Sequence, residues 1–77
     1  MDNISVKLAR CFSLVFPAMD PKIYETASAD NVGEWDSIAQ VTLLTMIGEE
    51  FGIEIDYEEF DGATSFTVLA DRLRHKC

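Results

Sequence analysis

Apolar side chains at Ile4, Leu8, Cys11, Phe12, Val15 and Phe16 recur every three or four positions, the spacing that lines one face of an α-helix. The pattern predicts a first helix, capped at Asp2 or Asn3 and ended by Pro17, which cannot continue it. From Pro17 to Asp36 the periodicity breaks, and two prolines, Gly33 and many short polar residues surround apolar anchors at Ile23, Tyr24, Val32 and Trp35. This stretch reads as a long loop with one helical turn near Asp20 to Tyr24. So long a connection is unusual in a small domain unless it spans the bundle or serves function. It is expected to return the chain along the first helix.

The helical period resumes after Asp36, a residue suited to capping, with a stripe of Leu43, Leu44, Ile47 and Phe51. Gly52 stands where a left-handed terminus is needed, so that Ile53 can pack back on Ile47. After Ile55 a brief segment opens at Asp56 with Tyr57 and Phe60 as anchors, predicting a short third helix and the weakest element of the chain. Thr64 or Ser65 then caps a last helix whose Phe66, Leu69, Ala70 and Leu73 face inward. Arg72, Arg74, His75 and Lys76 lie near its end, where the dipole favours cations. Nothing reads as a strand pair. The expected fold is all-α, a single domain over residues 1–77: a four-helix bundle of three longer helices and one short third helix, with a long loop between helices one and two.

Length narrows the functional classes. A chain of 77 residues buries only about 60% of the surface its unfolded form exposes, which leaves little room for an enclosed substrate cavity. A self-contained enzyme is not expected. Charge narrows them further: the net value is −8, and between Asp20 and Asp61 there are 12 acids against the single base Lys22. Nucleic-acid binding needs clustered Lys and Arg and is excluded on this count, whereas a basic protein partner is the natural complement. The longest uncharged run, Ser37 to Gly48, falls well short of the roughly 20 apolar residues that span a bilayer, so no membrane insertion is expected. Met-Asp-Asn lacks the basic and apolar regions of a secretory signal. A cytoplasmic monomer with reduced Cys11 and Cys77 is the expectation.

Other constellations of reactive side chains fail. His75 is the only histidine and has no nucleophile near it in sequence, and no zinc-ligand spacing exists, so neither catalytic residues nor a metal site is expected. The acidic run Asp56-Tyr57-Glu58-Glu59-Phe60-Asp61-Gly62 fits a calcium loop poorly, because placing Gly62 at the turn position puts Tyr57 where the first oxygen ligand belongs.

One tetrapeptide stands out by its place. Trp35-Asp36-Ser37-Ile38 opens the second helix at the end of the long loop, and that helix runs on to Glu49-Glu50-Phe51-Gly52-Ile53-Glu54-Ile55. Asp36-Ser37-Ile38 and the helix after it resemble the Asp-Ser-Leu segment of acyl carrier proteins. The likeness extends to the order of elements along nearly the whole chain. In that family the serine carries 4'-phosphopantetheine through a phosphodiester, and the arm's thiol holds acyl or aminoacyl groups as thioesters. The resemblance thus implies an attachment site at Ser37, a bundle of acyl-carrier type, and recognition of Asp36 by a phosphopantetheinyl transferase whose metal ion the aspartate helps to hold. The residues are compatible with this. A hydroxyl at the first helical position stands beside unpaired N–H groups at the positive end of the dipole, where a phosphate is well placed.

The family's carriers dock an acidic flank onto Lys and Arg patches of their enzymes. Here Glu49 and Glu50 lie near the end of the serine helix, where the dipole disfavours each carboxylate by about 0.3–1 kcal/mol, and Glu58 and Glu59 continue the flank. These four, with Asp36, Ile38 and Val41, are the expected partner-recognition residues. The chain departs from fatty-acid-synthesis carriers in having Ala39 and Thr42 where those proteins tend to place carboxylates early in that helix. The exposed side near Ser37, with Ile38, Ala39, Val41, Thr42 and Thr45, is consequently neutral, and Ile38 stands in place of the family's usual Leu. A specialised carrier for polyketide, aminoacyl or cell-surface polysaccharide modification is therefore favoured over a housekeeping fatty-acid carrier. Its expected partners are the transferase, an acyl- or aminoacyl-loading enzyme, and a downstream transferase or synthase. The alternative is an unmodified acidic helical adaptor or regulatory subunit, in which Ser37 is an ordinary helix-start residue.

Overall fold

The computed structural model describes residues 3–76. Helix α1, Asn3–Val15, turns Leu8, Cys11 and Phe12 fully inward. Its capping at Asp2 falls outside the described residues, and Asn3 is already helical. The helix stops one residue short of the expected Phe16, which is buried just beyond it and donates its N–H to the Phe12 carbonyl at 2.7 Å.

The long loop holds more order than one turn. A 3-10 helix covers Pro21–Thr26, with Asp20 as its cap accepting from the Lys22 N–H and Pro21 supplying a fixed φ at the first position. Tyr24, Val32 and Trp35 are buried as anchors, but Ile23 is 45% exposed, contrary to expectation. Three residues per turn carry Ile23 and Tyr24 to different sides, and only one side faces α1. Ala29 and Phe66 then tie the loop to the start of the last helix, the Ala29 N–H donating to the Thr64 carbonyl at 2.8 Å and the Phe66 N–H to the Ala27 carbonyl at 3.1 Å. Between these bonds Ser28 and Ser65 form an isolated antiparallel bridge, and among the described residues there is no longer strand.

Helix α2, Ser37–Phe51, buries Leu43, Leu44 and Ile47 and ends as its sequence dictates, with Gly52 at φ 64° and its N–H on the Gly48 carbonyl. Helix α3, Phe66–Lys76, buries Phe66, Leu69, Ala70 and Leu73, and the Ser65 hydroxyl accepts from the Val68 N–H at its start. One core takes residues from every element.

The expected short third helix is absent. Residues 57–62 form successive turns instead, with Gly62 at φ 78°. Tyr57 is 53% exposed and anchors nothing, whereas Phe60 is buried. The Asp56 side chain accepts the Glu58 N–H at 2.9 Å, the same cap-like bond that Asp20 makes to Lys22, so the segment opens as a capped turn and the obstacle lies in continuing it. In a helix Glu54, Asp56, Glu58, Glu59 and Asp61 would stack like charges three and four residues apart. The four helices are thus three α-helices and the 3-10 helix of the long loop.

Helix α1 packs on α2 and on α3, but no Cα of α2 lies within 8 Å of one of α3. The turn segment bridges them. On the α2 side it crosses Gly48, which presents to Ile55 and the Ile53 carbonyl the side where a side chain would stand. A Cβ there would stand 3.1 Å from Ile55 Cγ1 and 3.2 Å from the Ile53 oxygen. On the α3 side Arg72 donates to the Glu59 carbonyl and Lys76 pairs with the Glu59 carboxylate at 3.3 Å. Close approach thus explains a glycine that weakens a helix interior by about 1 kcal/mol. Gly48→Ala should forgo that gain: overpacking against a backbone oxygen costs about 1–3 kcal/mol. A net loss in urea unfolding, with amide shifts centred on Ile53 and Ile55, is expected. A gain of about 1 kcal/mol would mean that the crossing segment swings freely away.

Candidate functional site around Ser37

Ser37 is the first residue of α2 and is exposed. Three features set it there. Trp35, two residues earlier, is buried with 3% exposure, its ring edge-on to Phe12 at 5.3 Å and tilted against Phe16 at 5.6 Å. Its indole N–H donates to Gln40 Oε1 at 2.6 Å, and Gln40 Nε2 donates onward to the Ala63 carbonyl at 3.0 Å. Asp36 adopts extended backbone and turns its carboxylate to the Ala39 N–H at 2.9 Å, while its carbonyl accepts from the Gln40 N–H. These bonds leave the Ser37 and Ile38 N–H groups as the first-turn donors without an intrahelical acceptor.

Beside Ser37 lies an open cleft of about 290 Å³, lined by Ala29, Trp35, Asp36, Ser37, Gln40 and Thr64. The bond from Ala29 to the Thr64 carbonyl brings its two loop walls together. On the outward face of α2, Ile38 is 78% and Val41 52% exposed. The Thr42 and Thr45 hydroxyls bond back to the Ile38 and Val41 carbonyls at 3.0 and 2.9 Å, so this face offers less polarity than its threonines suggest.

The acidic flank is divided. Glu50 pairs with Arg10 of α1 at 3.2 Å and keeps only 22% of its side chain exposed, and Glu59 is held by Lys76. Glu49 and Glu58 are exposed. The carboxylates that the sequence groups into one surface therefore include two with partners inside the chain. Glu49 also stands 12 residues along α2 from Ser37, about 18 Å at 1.5 Å per residue. The immediate surroundings of Ser37 are Asp36, the apolar pair Ile38 and Val41, and the cleft.

Gln40 and Ala29 were not marked by sequence, and Thr64 was marked only as a possible cap of the last helix. Only Gln40 had a signal, an amide one turn from Ser37 within reach of a tryptophan that must satisfy its own N–H when buried. Among the described residues no group of three or more His, Cys, Asp or Glu side chains is placed to hold a metal ion, and no helix is long and apolar enough to cross a membrane. His75 is exposed, its Nδ1 2.8 Å from the Asp71 carbonyl. Cys77 lies outside the described residues. Cys11 is buried in the core, where desolvation first, and the nearby Glu50 charge second, push its thiol up to about 11.

Comparison of the chain with family models, with curated proteins and with solved structures finds no match.

Two measurements follow from these local bonds. Asp36→Ala removes the cap of α2 and should lower unfolding free energy by about 1 kcal/mol, read by chemical denaturation. For Cys11 the folded state holds its proton more tightly than the unfolded state, so ionisation favours unfolding as pH rises from about 9 toward 11. Thermal stability should fall across that window, and less steeply in Cys11→Ala. Identical slopes would show that the thiol does not contribute.

Proposed function

We propose that the protein is a carrier, holding acyl or aminoacyl groups as thioesters on 4'-phosphopantetheine joined to Ser37 and presenting them to partner enzymes. The observation that carries this reading is an exposed serine at the first position of α2, fixed by a buried tryptophan and a capping aspartate. Together with the Asp-Ser-Ile sequence, it meets what the prosthetic group requires of its attachment point. The Ser37 and Ile38 N–H groups and the positive helix end favour a phosphodiester there. Asp36 has its carboxylate turned onto Ala39, which directs its charge into the helix end. The arm supplies the thiol that forms the thioester; the chain supplies position and exposure.

The helices of the chain are then an acyl-carrier type of bundle in which turns replace the short third helix. The domain works as a carrier without catalysis of its own, since partners provide the base and the oxyanion site that acyl transfer needs. Its partners are a phosphopantetheinyl transferase, a loading enzyme and a downstream transferase or synthase. The neutral face of Ile38, Ala39, Val41, Thr42 and Thr45 beside Ser37 favours a specialised pathway over fatty-acid synthesis, because an enzyme evolved for a more acidic helix start finds Ala39 and Thr42 there instead of carboxylates. Glu49 and Glu58 remain the carboxylates exposed for a basic partner, whose attraction is long-ranged and screened by salt.

Incubation of the apo protein with a broad-specificity phosphopantetheinyl transferase, coenzyme A and magnesium should add one phosphopantetheine by intact mass. Ser37→Ala should add none while unfolding within about 0.5 kcal/mol of the parent. A folded parent that gains no mass would overturn the carrier reading in favour of an unmodified adaptor. A large loss of stability in Ser37→Ala would mark the serine as structural.

A further inference from the structure

We infer that the cleft beside Ser37 seats the first part of the arm, with Ala29 and Trp35 taking its branched dimethyl group. This inference rests on the carrier reading and assigns a new role to residues outside the serine helix. The cleft begins at the attachment residue, since Ser37 itself lines it together with Asp36 and Gln40. A group bonded to the Ser37 oxygen therefore starts inside the concavity, and no diffusional search is needed to fill it.

The two sides of Ser37 differ in what they offer. Toward solvent, Ile38 and Val41 stand proud of the helix at 78% and 52% exposure, a convex ridge that covers little of any group lying on it. Toward the loop, Trp35, Ala29 and Thr64 enclose a hollow of about 290 Å³. Sites that take drug-sized molecules run from roughly 300 to 1,000 Å³. This volume therefore suits a short segment of a tethered chain and is too small for the arm together with its cargo.

The walls are already in place. Trp35 is fixed by its ring contacts with Phe12 and Phe16 and by its bond to Gln40. Gln40 is held at its other end by the Ala63 carbonyl, and Ala29 by the Thr64 carbonyl. Among the described residues no buried side-chain nitrogen or oxygen is left without a partner. The floor thus asks for apolar contact and no further hydrogen bond. Filling a preformed hollow costs little ordering of the protein, so modest apolar burial can bias the arm toward it. The seat leaves the far part of the arm and its thiol outside, available to enzymes.

The test uses protein labelled with carbon-13 and nitrogen-15, converted with unlabelled coenzyme A and monitored by intact mass. Isotope-filtered NOE spectra should show cross-peaks from the arm's dimethyl protons to the Ala29 methyl and to Trp35 ring protons, the single tryptophan making the latter unambiguous. Ala29→Leu fills the hollow and should abolish the Trp35 cross-peaks while the mass gain persists. If that variant does not fold, the parent spectra decide alone. A mass gain with dimethyl cross-peaks to neither residue, or to Ile38 and Val41 instead, overturns the seat and leaves the carrier function standing. Failure to gain mass removes both.

Discussion

The fold depends on a cluster of aromatic rings around Phe12. That side chain has no exposure, and Phe16, Tyr24, Trp35 and Phe66 all place their ring centres between 5.1 and 5.7 Å from its own. The five rings come from the end of α1, the 3-10 helix, the approach to α2 and the start of α3. One ring in α1 therefore sets the path of the long loop and the point at which it releases the chain into α2. Tilted and edge-on pairs of this kind contribute about 0.5–1.5 kcal/mol each beyond their area, and further contacts between Phe16 and Trp35 and between Tyr24 and Phe66 tie the surrounding rings to one another. Ser37 inherits its position from this cluster, two residues after a tryptophan that is buried among rings and hydrogen-bonded to Gln40.

The regular elements were readable because their determinants are local. The stripe of Leu43, Leu44 and Ile47, the cap at Asp36 and the left-handed Gly52 each act within a few residues of the structure they specify. The stripe of Phe66, Leu69, Ala70 and Leu73 does the same for α3. Residues that depend on distant partners were not readable. Ile23 and Tyr24 look like equivalent anchors in sequence, and only the positions of α1 and α3 decide which is covered. Glu50 looks misplaced at a helix end until Arg10 is brought beside it, and Gly48 looks like a weakness until Ile53 and Ile55 cross it. The third helix failed for a local reason that outweighed its anchors, since five acids three and four residues apart repel one another. Of the site, Ser37, Asp36 and Ile38 were legible as a tripeptide. Gln40, Ala29 and Thr64 became visible only when the loop and the start of α3 were joined.

Charge and apolar surface are arranged in sequence along α2. Its first turns are uncharged and carry exposed aliphatic side chains; its last turn carries Glu49 and Glu50, of which one is neutralised from α1. Exposed ion pairs such as Arg10 with Glu50 and Lys76 with Glu59 contribute at most about 1 kcal/mol. They also neutralise Glu50 and Glu59 within the acidic flank, which leaves Glu49 and Glu58 as its exposed carboxylates for attraction at a distance. Short-range contact belongs to the first turns of α2.

The wider backbone spacing between α2 and α3 than between either and α1 gives the molecule an uneven stiffness. Helix α1 works like the spine of a book, with α2 and α3 as covers joined elsewhere by a hem of turns whose inner stitch is Phe60 and whose outer one is Glu59. Parting the covers would open the core that Leu43, Leu44 and Ile47 of α2 share with Leu69 and Leu73 of α3. It would also strain that hem, where the backbone bonds from Phe60 to Asp56 and from Asp61 to Glu58 are already stretched to 3.3 Å. Compliance is thereby confined to one edge of the molecule, while the aromatic cluster near the spine stays rigid.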